Sequence, residues 1–458
     1  MQSALTASGL TALTPHNPKN ETSQGKVDRR NMLLGLGGLY SAANPISTLG
    51  ASANPIQAPQ LDKCDLATNA VTGKKIQEIC CSPISSNIID YRLAPVFQMK
   101  IRPSAHRVSP EYVLKDNQAV DRIKRLPKDD PRNFMQQANV HCAYCNGAYN
   151  QIGQGDLDLW YLYFHERILG KLIGEPTFAL PFWNWDNPKG MTMPPMFLDP
   201  KYALYDSKRN QDNLPPAVVD LGGSKNPNPL QLVVNNLTIM PTEMILGNAD
   251  TYDFMGMPYC EGSSNPEGLR ACERGSHTNI HIWVGDPRKP TGEDLGNFYS
   301  AGRDPLFYCH HANVDRMWSL CNKVRDKRIT DPNFLNASFL FFNENARLVH
   351  VTVKDCLNNL RMGYDFERIN LPWLDYKPPP QMVAATVKRI GSTISVADRN
   401  VFPLTLDKIV RPQVPKAKKG KADELLVIEN ITVDTTNFLK LDIFVNDEDH
   451  NVAELDKA

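Results

Sequence analysis

Four histidines within a thirty-five-residue stretch constrain this chain more than any other feature of its sequence. His277 and His281 stand four apart in GSHTNIHIW, and His310 and His311 form a doublet in GRDPLFYCHHANVDRMW. Residues four apart lie one above the other on a helix face, so His277 and His281 can offer two imidazoles to one ion. A third imidazole from a facing helix completes the set. Spacing alone leaves copper, zinc, iron and nickel open. An isolated histidine pair of this kind is more often surface decoration; the second cluster and the aromatic, glycine-rich segment between them turn the reading toward a metal site. Apolar and aromatic residues also recur at helical spacing in LWYLYFHERILGKLI and FYCHHANVDRMWSLC. Helices that point ligands inward at a shared ion form a bundle. The expected fold is therefore mainly α, a four-helix bundle with long loops over residues 58–325.

Three longer motifs carry a resemblance. HCAYCNGAY at 141–149, WYLYFHERILGKLIGEPTFALPFWNWD at 160–186 and GEDLGNFYSAGRDPLFYCHHANVDRMW at 292–318 resemble the plant polyphenol oxidases, the catechol oxidases and tyrosinases, over nearly the whole chain. That family holds two copper ions with three histidines each. The resemblance implies oxidation of o-diphenols to o-quinones with reduction of dioxygen to water, and a small phenol and dioxygen as partners. It implies His277, His281 and His311 as the copper B ligands, with His310 behind them, and His141 as the first ligand of copper A. It also implies that Glu273, four before His277, holds a water near copper B, where a carboxylate can take a phenol proton. Phe298 resembles the ring that gates access of an aromatic substrate. Thr278, after the first copper B ligand, points to diphenols rather than monophenols.

The chain departs from the family pattern at copper A. About a dozen residues are missing between NGAY and WYLYF, and no histidine lies between His141 and His165. Counting back from Trp160 puts Asp158 where the third copper A ligand belongs. His165 lies seven residues further on, about 10 Å along the same helix at 1.5 Å per residue. It is expected on the helix surface beside Glu166 and Arg167. Two readings besides the intact oxidase follow: an impaired homologue that binds one copper at copper B, and a reversible oxygen carrier of haemocyanin type. Asp315 is expected either to orient a ligand imidazole or to pair with an arginine.

Of the ten cysteines, Cys64, Cys80, Cys81 and Cys142 lie toward the N-terminus. Vicinal cysteines do not pair with each other without strain, so Cys80 and Cys81 are expected in separate bridges. The family resemblance implies Cys64 to Cys81 and Cys80 to Cys142, in an oxidising compartment. It also implies a thioether at Cys145; its histidine partner is missing, so a thiol is expected there. Cys260 and Cys272 bracket a loop and are candidates for a further bridge. Cys309, Cys321 and Cys356 read as buried thiols.

Fifty basic and fifty acidic residues leave no net charge, which argues against nucleic acid as a partner. No apolar run reaches the roughly 18–20 residues of a membrane span. Residues 1–57 read as targeting sequence: an acid-poor, Ser/Thr-rich start, Arg29-Arg30 before the apolar MLLGLGGLY, and ASA at 51–53. That order predicts plastid import followed by twin-arginine export to the thylakoid lumen. A β-rich segment over 326–378 is expected to link the core to residues 379–458, whose apolar–polar alternation predicts strands. The resemblance makes this last part an antiparallel β-domain that shields the site in cis, ending here short of its full length.

Overall fold

The computed structural model describes residues 54–67, 75–77, 79–145, 148–149, 157–223, 228–246, 273–286, 288, 292–325 and 329–376, and the backbone of 396–397 and 411–412. The targeting segment, Cys260 and Cys272 lie outside these residues. So does most of the C-terminal region and its expected shielding role.

Helix α1 spans Pro110–Lys124, starting where Ser109 accepts a hydrogen bond from the Tyr112 N–H and Pro110 presets the first turn. Helices α2, Phe134–Cys145, and α3, Leu157–Ile173, follow. Next come α4, Pro229–Pro241, α5, Thr278–Val284, and α6, Leu306–Arg325. Two single turns complete the set: α7, Pro332–Leu335, and α8, Asn359–Met362. Helix α3 packs between α1 and α6 and is buried almost all round, with Trp160, Tyr161, Leu162, Phe164, His165 and Ile168 each nearly inaccessible. Arg167 and Lys171 form its solvated side. None of the described helices is long and apolar enough to cross a membrane.

The strands close one end of this core. β1, Ile88–Asp90, runs parallel to β4, Leu348–Thr352, which pairs antiparallel with β3, Ser338–Phe342, in the register Phe341 to Val349. β2, Lys100–Arg102, runs parallel to β5, Tyr364–Phe366. The segment expected to link two domains is thus paired with strands from the N-terminal arm. It is also bound to the helices: the Trp160 indole N–H donates to Thr352 O at 2.9 Å, and the Tyr144 hydroxyl donates to Leu340 O at 2.9 Å. Every residue of β3 is buried, with Phe341 against Phe164 and Tyr144. In the C-terminal region, β6, Val396–Ala397, and β7, Arg411–Pro412, form a short pair that runs parallel, where antiparallel strands were expected.

Two disulfides, Cys64 to Cys81 and Cys80 to Cys142, fasten the N-terminal arm. The second closes a separation of 62 residues and ends next to His141. Loop-closure entropy makes such a link worth about 4 kcal/mol. Cys309, Cys321 and Cys356 are buried, and Cys145 is partly buried.

Candidate metal centre

Helix α6 carries the histidine doublet, and buried charge fixes where that helix begins. Asp304 accepts from the Leu306 N–H at 2.8 Å and takes a bidentate pair from Arg209, 2.9 Å from Nε and 2.6 Å from an Nη. Both residues are almost wholly inaccessible. Two residues beyond the doublet, Asn313 donates to Asp186 at 3.3 Å; Arg316 and the Trp373 indole each reach the same carboxylate at 3.0 Å. The helix is held on both sides of His310 and His311.

Three imidazoles meet there. His281 Nε2 lies 3.1 Å from His277 Nε2 and 3.1 Å from His311 Nε2. Nitrogens of three imidazoles approach this closely when their lone pairs converge on one point, and a first-row ion about 2 Å from each fits such spacing. The His281 Nδ1–H donates to Leu295 O at 2.8 Å, which leaves Nε2 as the lone-pair nitrogen. Metal-bound histidines usually have such a carbonyl or carboxylate partner. Burial holds the His311 imidazole well below its ordinary pKa, with His141 adding to the effect, so His311 stays neutral.

His310 belongs to the same buried cluster, within 4.8 Å of the other three. Its tautomer keeps it out of the ligand set: the Trp185 indole N–H donates to His310 Nδ1 at 3.1 Å, so the ring proton sits on Nε2. His310 instead stacks on His277, with ring centroids 5.2 Å apart. Trp185 was not singled out in the sequence; its signal was the WNWD motif, where a buried tryptophan needs an acceptor.

The copper A side is built differently. His141, on α2, is buried, and its Nδ1–H donates to Phe298 O at 2.9 Å, which makes Nε2 its lone-pair nitrogen. Its ring lies 6.2 Å from that of His311 and 4.9 Å from Phe307, which itself stacks on His311 at 3.9 Å. Phe298 lies nearly parallel to the His141 ring at 6.1 Å and is partly exposed. Among the described residues no second histidine joins His141 on this side. The side chains of Asp158 and Glu273 lie outside the described residues.

His165 corrects the surface expectation. It is 1% exposed and stacks face to face on Tyr308 at 3.7 Å. Burial pushes its pKa down to about 3, and its Nδ1 has no hydrogen-bond partner. Together with Asp116 and Cys309 it lines an internal cavity with room for about one water molecule. Arg167 and Lys171 mark the solvated side of α3, and His165, two residues before Arg167, lies roughly on the opposite side.

For Asp315 the structure selects the ion pair. Its carboxylate takes Arg102 at 2.6 Å and the Tyr364 hydroxyl at 2.7 Å, and no ligand imidazole bonds to it. Arg102 also reaches Glu166 at 2.9 Å and lies 3.8 Å over the Tyr364 ring. Asp315 therefore ties α6 to β2 and β5.

The helical core and the convergent imidazoles define a helical protein with a candidate histidine metal site. Residues 131–323 match the common central domain of tyrosinase, 328–379 the polyphenol oxidase middle domain, and 402–458 the chloroplastic polyphenol oxidase C-terminal domain. Polyphenol oxidase II of Ipomoea batatas is 44% identical over 96% of this chain and 80% of its own length. Catechol oxidase B of Solanum tuberosum is 43% identical over 94% of this chain and 78% of its own. The crystal structure of a Vitis vinifera polyphenol oxidase aligns at 43% identity and a TM-score of 0.65, over 70% of this chain and 99% of that one. The chain belongs to the plant polyphenol oxidase family, copper enzymes that oxidise phenols.

Proposed function

We propose that this chain oxidises o-diphenols to o-quinones at a copper centre whose ordered half is His277, His281 and His311. The convergence of three Nε2 atoms at 3.1 Å carries this reading. These residues fit copper B; the described residues around His141 do not by themselves fit copper A. Copper bound at the three imidazoles supplies a redox-active Lewis acid for a phenol oxygen. Leu295 O orients His281, and Phe298, half open beside His141, presents a flat face to an incoming aromatic ring. Glu273, four residues before His277, is the proposed acceptor of the phenol proton. The overall balance is two o-diphenols and one dioxygen to two o-quinones and two waters.

His141, as the one histidine described on its side, favours a second reading: a chain that holds a single copper and does not complete the four-electron reduction of dioxygen. Dioxygen uptake with 4-methylcatechol, on copper-loaded wild-type protein and on His281→Ala, separates the two. Uptake that the substitution abolishes supports the oxidase; none in either protein supports the single-copper homologue. The proposed site of action is the chloroplast thylakoid lumen. That follows from Arg29-Arg30 and the apolar run behind it, and several relatives carry chloroplastic names.

A further inference from the structure

We infer that Glu243 is a positioning residue for copper B: it holds the turn that aims His277 at the metal. The inference rests on the copper B reading above. α4 includes Pro241 as its last residue and runs directly into the π-helical turn Thr242–Leu246 that carries Glu243. Glu243 is buried, and its Oε1 accepts from the Ser276 N–H at 2.9 Å. Ser276 is fully inaccessible and immediately precedes His277.

The adjacent glycine shows how closely the carboxylate is fitted. Gly275 has non-helical angles, φ −93° and ψ −113°, which break the turn Glu273–His277 before α5 starts. A Cβ at this position would meet Glu243 Oε1 at 1.9 Å. The carboxylate thus occupies the space that a side chain at 275 would need, and grips the one N–H available there. α5 has no side-chain cap at its start, so the Glu243 carboxylate takes the place of a cap on the chain that delivers His277. The sequence offered no sign of this, because Glu243 lies 34 residues before His277 in a segment without periodic pattern.

The test uses full-length protein and Cu2+ alone, with affinity measured by chelator competition and the bound ion examined by electron paramagnetic resonance. Glu243→Ala should weaken copper binding about 10–100-fold, the range for residues that orient a metal ligand, and alter the copper hyperfine pattern. Glu243→Gln keeps a carbonyl oxygen for the Ser276 N–H and should stay within about threefold of wild type. Gly275→Ala, which evicts the carboxylate, should reproduce the loss and serves if Glu243→Ala does not fold. Wild-type affinity and spectrum in Glu243→Ala, or in Gly275→Ala where the first does not fold, would overturn the inference. A wild-type chain whose copper binding is indifferent to His281→Ala would overturn the copper B reading itself.

Discussion

The two sides of the metal centre are assembled by different means. On one, His281 Nε2 lies 3.1 Å from the Nε2 atoms of His277 and His311, and Asp304, Arg209, Asp186 and Arg316 fix the helix that carries His311. On the other, His141 on α2 is joined by no second histidine among the described residues, and the next histidine in sequence, His165, faces an internal cavity against Tyr308. Three imidazoles converge where two elements meet; between His141 and His165 the sequence has no histidine.

The contrast should be plainest in metal affinity. His281→Ala removes a ligand and should lower copper affinity by more than about 100-fold, beyond the effect of losing a residue behind the ligands. His141→Ala should change it less than about threefold if copper A is not assembled. Competition titrations on both proteins decide; equal losses would erase the difference between the two sides.

Next in size is the anchoring of α6. Arg209→Met leaves the Asp304 carboxylate buried without its partner and should cost about 3–5 kcal/mol in chemical denaturation. A loss below about 1 kcal/mol, the range of exposed pairs, would mean the pair does not hold the copper B helix.

Asp116 should give a pH signature on the cavity side. Burial raises its pKa from 3.8 to about 7, so between those values the folded chain keeps a proton that the unfolded chain has lost. This contribution to stability is fully present below about pH 4 and gone above about pH 7. Asp116→Asn should flatten the decline between pH 4 and 7, on the order of 2–4 kcal/mol, in denaturation curves across that range. An unchanged slope would show that the carboxyl is not buried as described.

The smallest effect expected is at His165. Replacing it with Phe keeps the stacking on Tyr308 and removes a buried nitrogen without a partner, so stability should rise by about 1 kcal/mol and copper content should not change. Loss of copper in His165→Phe would make it a ligand after all.

Much of this was legible in the sequence because it is local. The i,i+4 pair spans the start of α5 and the doublet lies in α6, and their convergence follows from periodicity once the two helices face each other. Trp185, Glu243 and Arg209 were not legible in this way. Each acts on a residue dozens of positions away, through hydrogen bonds that only the folded chain brings together. His165 was misplaced because Arg167 and Lys171, not His165, mark the solvated side of α3, and the neighbouring Glu166 is a buried ion-pair partner rather than a surface charge. Asp315 was ambiguous for a related reason: an acid on the ligand helix can face the imidazoles or the neighbouring strands, and Arg102 and Tyr364 decide.

Copper per chain, measured on the folded protein together with the electron paramagnetic resonance of the cupric form, tests the oxidase reading most directly. Two equivalents of copper with a silent, coupled pair, lost in His281→Ala, is the predicted result. One equivalent with a full mononuclear signal would contradict it and support the single-copper homologue.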